Sequence, residues 1–303
     1  MINWQDIKIH IYLAKVFMQP QLNIPLELLD NQHLFEDEFF TSRPLSRPNT
    51  DLVLPDGQSR RYQFPTYFNE VKFNAGIFLG NYQKIKEQLP KDLKPVSVPG
   101  GRGMVIFASY HYGQIHEMPG YNEVLVMVPV LHKSLSVPLI PPLVNGYPGM
   151  GYYILALPMT NLENQLRGQQ FWGLPKRLHE VEIIDGKRDS LTRIQSNGEL
   201  DFEFRIAHGG NVKRQERRNS IYSVKDDQLI RFESHFSGDI TNNSNWKVLF
   251  NRSHSLNAAQ PELVLGDTPL GDKLKTLQIN PHAFETRYCE HLKSCLYLPN
   301  QYF

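Results

Sequence analysis

The chain has 303 residues, 41% of them hydrophobic, and carries 32 Lys and Arg against 31 Asp and Glu for a net charge of +1. That length supports one large β-rich domain or two smaller ones, and the near-neutral balance excludes the electrostatic bias expected of a nucleic-acid or membrane-surface partner. Two cysteines, Cys289 and Cys295, are too few for a disulfide framework or a cysteine zinc site. No basic region precedes an apolar core at Met1–Asp6, and the longest apolar runs, Val124–Leu131 and Tyr152–Met159, are strand-sized. A cytoplasmic protein is the expectation, and the sequons at Asn242 and Asn251 are read as chance.

Residues 1–60 read as an N-terminal extension or arm, with a short helix beginning at Pro25 and a proline-punctuated linker over 41–57. From Tyr62 the pattern changes, and 61–303 reads as one β-barrel domain. Tyr67–Leu79 is β-compatible. Asn81 caps a short amphipathic helix over Tyr82–Leu89, which Pro90 stops. Pro95–Gly103 reads as turns, Met104–Tyr110 as a strand, His111–Gly120 as a loop, and Tyr121–Leu131 as the next strand. Pro138–Gly151 reads as a long loop before a strand over Tyr152–Met159. Thr160 and Glu163 have capping-box spacing for a helix running to Trp172, and Gly173 ends it.

Beyond Pro175 the chain reads as a β-meander. Asp185-Gly186 and Asn197-Gly198 are hairpin signals between Leu178–Ile184, Ser190–Gln195 and Leu200–Ile206. Leu200, Phe202, Phe204 and Ile206 alternate with Asp201, Glu203 and Arg205, giving one buried and one wet face. The basic run Lys213–Arg218 reads as a solvated loop or hairpin tip. Gln228–Phe236 and Trp246–Phe250 add strands, and Phe284–Leu298 carries a mixed helix-or-strand signal. The sum is a mostly β, β-rich α+β chain with a few short helices, best accommodated by an antiparallel closed or cone-shaped barrel with curled sheet.

The stretch Trp172-Gly173-Leu174-Pro175-Lys176-Arg177 holds a lysine at a sharp helix-to-strand junction. Together with Gly120-Tyr121-Asn122-Glu123-Val124 and the tail Pro261–Leu265, Asp272–Leu274 and Leu277–Leu298, it resembles the acetoacetate decarboxylase family over roughly residues 62–300. The resemblance implies a Schiff-base lysine at Lys176, a facing carboxylate at Glu123, no cofactor, and a homo-oligomer acting on a small keto acid. The chain departs from the family pattern in four places. Gly168-Gln169-Gln170 stands for Gly-Arg-Glu, and Arg177 stands for a second lysine. The family's substrate-carboxylate arginine would fall near Leu79, and a second glutamate near Ile106.

The residues themselves define the chemistry. An ordinary lysine has a pKa near 10.4, so only about one in 2500 is neutral at pH 7. Burial lowers that value, and a neutral amine condenses with a carbonyl to an iminium ion that acts as an electron sink. Arg177 is a candidate supporting cation, although neighbouring residues of a strand point to opposite faces. Tyr110, Tyr121 and Trp172 are candidate pocket-lining residues. His111 and His116 lack a third ligand at a recognised spacing, so no metal is expected, and His179 reads as a satisfied core histidine. Two functions stay open: a lyase acting on a keto acid by decarboxylation, aldol or dehydration chemistry, or a non-catalytic ligand-binding barrel that keeps the lysine for structure.

Overall fold

The computed structural model describes residues 14–18, 20–134, 149–250 and 260–303. Its centre is a closed barrel of seven strands: β1 Thr66–Asn81, β2 Arg102–Ile115, β3 Tyr121–His132, β4 Met150–Met159, β5 Asn211–Lys225, β6 Gln228–Ser244 and β7 Glu285–Leu296. Every neighbouring pair is antiparallel except β4 with β5, which run parallel through Tyr152↔Ile221 and Tyr153↔Tyr222. The ring closes where β7 pairs with β1, so none of the seven is left as an open edge.

A second sheet of five strands packs on the outside of the barrel. It contains Ala14–Met18, the hairpin strands Glu180–Asp185, Asp189–Ser196 and Glu199–Ala207, and the short strand Leu263–Leu265. The expected alternation holds in part: Phe202, Phe204 and Ile206 are fully buried, and with Val181, Ile183 and Ile194 they share a core with Phe78, Phe107, Val124 and Val126 of the barrel wall. Leu200, however, is only half-buried, and Asp201, expected on the wet face, is buried and bonded to His179, Ser196 and Thr268. Burying each such side chain stabilises the fold by about 1.5–3 kcal/mol. This also explains why Val124–Leu131 reads as continuously apolar. Val124, Val126, Val128 and Val130 face the sheet-on-barrel core, while Leu125 and Met127 face the barrel interior.

Several expectations are corrected. Trp246–Phe250 forms a short helix rather than a strand, with Val248 and Leu249 packed on Leu79. The chain around Pro25 makes bends, and helical turns come later, at Gln32–Phe35 and Glu38–Thr41. His111–Ile115 continues β2 instead of looping, because its residues pair with β1 as far as Phe68↔Ile115. The Pro95–Gly103 segment follows a short strand, Leu93–Pro95, holds another, Ser97–Val98, and ends in the start of β2. Lys213–Arg218 is neither loop nor hairpin tip but the middle of β5. The actual tip is Asp226-Asp227, both left-handed, the backbone of a two-residue hairpin turn. Asn251 and most of the Pro138–Gly151 loop lie outside the described residues.

Residues 20–60 lie against the barrel. Phe35, Phe39 and Phe40 pack on Tyr67 and Cys295, Leu52 and Leu54 are buried, and Gln21 bridges to Asn161.

Candidate active site

The helix Leu162–Trp172 lies against one end of the barrel interior. Thr160 does not cap it. Asn161 does, accepting from the Asn164 N–H at 2.8 Å, while Thr160 is buried and accepts from the Asn122 N–H. Glu163, expected as the other half of a capping box, instead turns into the protein, where it pairs with Arg60 at 2.7 Å and accepts from Tyr62. The helix ends at Gly173, whose φ of 59° and close approach to the Val224 carbonyl suit only glycine. The chain then reverses through Leu174 and Pro175 into the strand Lys176–Leu178, which runs parallel to β4. Gln169 donates from Nε2 to the Lys176 carbonyl at 2.8 Å and fixes this strand to the helix.

The reversal sends the Lys176 side chain back over the helix and into the barrel. Its stem crosses Gly168, where a Cβ would stand 2.3 Å from Lys176 Cδ and 2.6 Å from Cε. Nζ donates to Glu123 Oε2 at 2.7 Å and to Asn164 Oδ1 at 2.9 Å. Lys176 is only 5% exposed. Burial pushes its pKa below the ordinary lysine value. The charge and hydrogen bond of Glu123 oppose that shift, and the nearby Arg167 guanidinium adds to it. Glu123 also accepts from the hydroxyls of Tyr112 and Tyr121 at 3.3 and 3.2 Å. Burial first, and then the Glu123 charge, raises both phenols well above the usual range, so they stay protonated as donors.

These groups line one end of a cavity of about 160 Å³ inside the barrel. Its middle is apolar and aromatic, walled by Phe68, Phe73, Leu125, Ile154, Phe232 and Phe236. Tyr110 stacks on Tyr112 with ring centroids 5.6 Å apart, and the far end is polar, with Gln215, Arg217 and Arg287. The expected lining residues Tyr110, Tyr121 and Trp172 all border this cavity. Trp172 is turned by a 2.8 Å bond from Nε1 to the Tyr297 carbonyl.

Arg177 is a correction. Its side chain is exposed and Nη1 bonds the Lys176 carbonyl at 3.3 Å, because strand alternation turns it away from the side that Lys176 faces. The cation at the site is Arg167, which the sequence reading did not select. It is 1% exposed, donates from Nη2 to Thr66 Oγ1 at 2.9 Å and from Nη1 to the Met118 sulfur, and lies over the Tyr62 ring, 4.2 Å from its centroid. The available signal was helical spacing: Asn164, Arg167 and Gly168 share one face by the i, i+3, i+4 rule. Asn164 was missed for the same reason. Leu79 and Ile106 carry no charge into the site; Leu79 belongs to an outer apolar cluster, and Ile106 is a lining residue.

His111 and His179 are engaged by other side chains. His111 Nδ1 bonds Asn122 at 2.8 Å, and His179 Nδ1 bonds Asp201 at 2.9 Å. Among the described residues, no group of three His, Cys, Asp or Glu side chains could hold a metal, and no helix is long and apolar enough to cross a membrane.

Comparison with known proteins adds the ancestry. The acetoacetate decarboxylase (ADC) family pattern matches residues 55–280. No curated protein matches the sequence. Among solved structures, acetoacetate decarboxylase from Legionella pneumophila superposes with a TM-score of 0.55 at 12% identity, covering 79% of this chain and 88% of that one. The enduracididine biosynthesis enzyme MppR, complexed with the condensation product of pyruvate and imidazole 4-carboxaldehyde, gives 0.53 at 13% identity, covering 86% and 97%. At these identities the superpositions speak for the fold, and the family match takes in Glu123, Lys176 and six of the seven barrel strands, ending before β7. The chain belongs to the acetoacetate decarboxylase family.

Proposed function

We propose that this protein is a Schiff-base-forming lysine enzyme, a lyase acting on a keto acid, with Lys176 as nucleophile and Glu123 as its proton carrier. One observation carries the reading: a lysine amine buried in a mostly apolar cavity, 2.7 Å from a carboxylate. Passing one proton from Nζ to Glu123 gives a neutral amine and a carboxylic acid, which together bear less charge in a dry site.

The amine adds to the substrate carbonyl, and Glu123 returns its proton to the oxygen that leaves as water. The resulting iminium withdraws electrons from the adjacent carbon. Tyr112 and Tyr121, held as donors, keep the Glu123 carboxylate oriented through this exchange. Asn164 holds the amine from the other side, so its approach direction is set before substrate binds.

The test is borohydride trapping with a panel of keto acids, followed by peptide mass mapping. Reductive addition should appear at Lys176 and nowhere else; a folded protein that gives no adduct across the panel refutes the reading. The second reading is a ligand-binding barrel in which Lys176–Glu123 is a structural ion pair, and the direct 2.7 Å contact favours it. It predicts full retention of ligand binding, with no adduct, when borohydride is present.

A further inference from the structure

The barrel interior contains a buried cation, Arg167, that makes no direct ion pair among the described residues, although the charges of Glu163 and Glu117 act on it from a distance. The two acidic side chains whose charges reach Arg167 are engaged elsewhere, Glu163 by Arg60 at 2.7 Å and Glu117 by Arg47 at 2.5 Å, and the cavity's Glu123 is taken by Lys176 at 2.7 Å. Among the described residues Arg167 makes no ion pair, and its Nε has no hydrogen-bond partner. Burying a guanidinium in this way is costly unless an anion compensates it. Three residues earlier on the same helix face, Asn164 is 3% exposed, and its Nδ2, although close to the Tyr121 hydroxyl, makes no hydrogen bond of ordinary geometry. Both side chains border the Lys176 cavity. Two unsatisfied donors, one of them cationic, therefore belong to side chains that line the same cavity as the amine.

We propose that Arg167 Nε and Asn164 Nδ2 bind the carboxylate of the substrate, and that this carboxylate is retained through the reaction, which makes the substrate a 2-oxo acid processed by proton transfer at C3. The proposal rests on the Schiff-base reading of Lys176. The spacing argument starts from Asn164, whose Oδ1 is 2.9 Å from Nζ. Its Nδ2 is bonded to the same carbon, about 2.2 Å from Oδ1 given ordinary amide bond lengths. An anion on Nδ2 therefore lies within a few ångströms of the iminium nitrogen. A carboxylate attached directly to the iminium carbon fits that reach, and one set back by a methylene fits it less well.

Electrostatics decide the fate of the carboxylate. Loss of CO2 would move its negative charge away from Arg167, so the guanidinium stabilises the bound acid more than the transition state for decarboxylation. In a dry cavity that bias is strong. Removing a proton from C3 leaves the carboxylate charge where it is. The step balances without a further reactant. Lys176 and the ketone form the iminium and water. Glu123 takes the C3 proton, the C–H electron pair becomes the enamine double bond, and the C=N pair returns to nitrogen. Reprotonation at C3 and hydrolysis then regenerate the 2-oxo acid and the amine.

The experiment incubates the protein in D2O with 2-oxobutyrate, acetoacetate or 2-butanone. It follows C3 deuteration by NMR, CO2 release above the enzyme-free blank, and borohydride adducts by mass spectrometry. We expect 2-oxobutyrate to exchange its C3 protons without losing CO2, and to be trapped at least tenfold faster than 2-butanone, the ketone of matching chain without a carboxylate. Arg167→Met should abolish that preference. Equal trapping of 2-oxobutyrate and 2-butanone, or CO2 release from acetoacetate outpacing 2-oxobutyrate exchange, overturns the proposal. The wild-type comparison stands even if Arg167→Met fails to fold. Absence of any adduct sinks the Schiff-base reading instead. In that case a rise in Tm with 2-oxobutyrate but not 2-butanone still supports the carboxylate subsite, and no rise with either rejects it.

Discussion

Replacing Gly168 with alanine tests how the site is held. The new methyl would stand 2.3 Å from Lys176 Cδ, 2.6 Å from Cε and 3.0 Å from Cγ. Carbon atoms in contact sit about 3.5–4.0 Å apart, so the lysine stem must move by more than ~1 Å. It cannot swing freely, because Nζ is bonded to Glu123 and Asn164 and the backbone is tied to Gln169. Global stability should change little. Overpacking costs about 1–3 kcal/mol, and replacing a helical glycine recovers about 1 kcal/mol. A misplacement of ~1 Å at the reacting atom, by contrast, costs about 100-fold in rate. The assay pairs a thermal melt with the borohydride-trapping rate on the same sample. The expected result is a Tm within a few degrees of wild type and a trapping rate lower by about two orders of magnitude. A trapping rate equal to wild type would refute the reasoning, since it would mean the stem has slack that the hydrogen bonds do not reveal.

Other outcomes follow from the same geometry. Because Glu123 opposes the downward shift of the Lys176 pKa, Glu123→Gln should move the rising limb of the trapping-against-pH profile to lower pH while lowering its plateau; a limb moving to higher pH contradicts the assigned pairing. Arg177→Ala should alter stability by no more than about 0.5 kcal/mol and leave trapping unchanged, as read by denaturant titration and mass spectrometry. Burial pushes the Cys289 thiol up to about 11, so alkylation at pH 8 should reach it only in denaturant; rapid labelling of the native protein would contradict its burial. The folded state keeps this proton where the unfolded thiol loses it, so this group's contribution to stability is present below about pH 9 and is lost as pH rises towards 11.

What could be read along the chain was whatever leaves a period. The meander Glu180–Ala207 alternates because one face meets the barrel and the other meets water, and its Asn197-Gly198 turn needs two left-handed residues. Lys176 was legible because a lysine after a Gly-x-Pro reversal is constrained by the chain itself. Strand β5 was not legible. Gln215, Arg217 and Asn219 face the cavity while Arg214, Glu216 and Arg218 face solvent, so the strand is polar on both sides and shows no hydrophobic period. Trp246–Phe250 was misassigned because a short apolar run suits a buried helix turn as well as a strand.

The sequence by itself determined a β-rich chain with a lysine constrained at a helix-to-strand junction at 176, and the family resemblance of the segments around them is what marked Lys176 and Glu123 as candidate site residues. Only the tertiary structure decided which cation shares the site. Arg177 is adjacent in sequence but lies on the opposite face of its strand. Arg167, nine positions earlier, reaches the cavity because the Leu162–Trp172 helix lays its inner face beside the lysine once Gly173 reverses the chain. Neighbourhood along the backbone fixes direction by alternation, whereas neighbourhood across the cavity depends on how separate elements pack. The lysine that anchors this site was therefore visible in one dimension, and the company it keeps was settled in three.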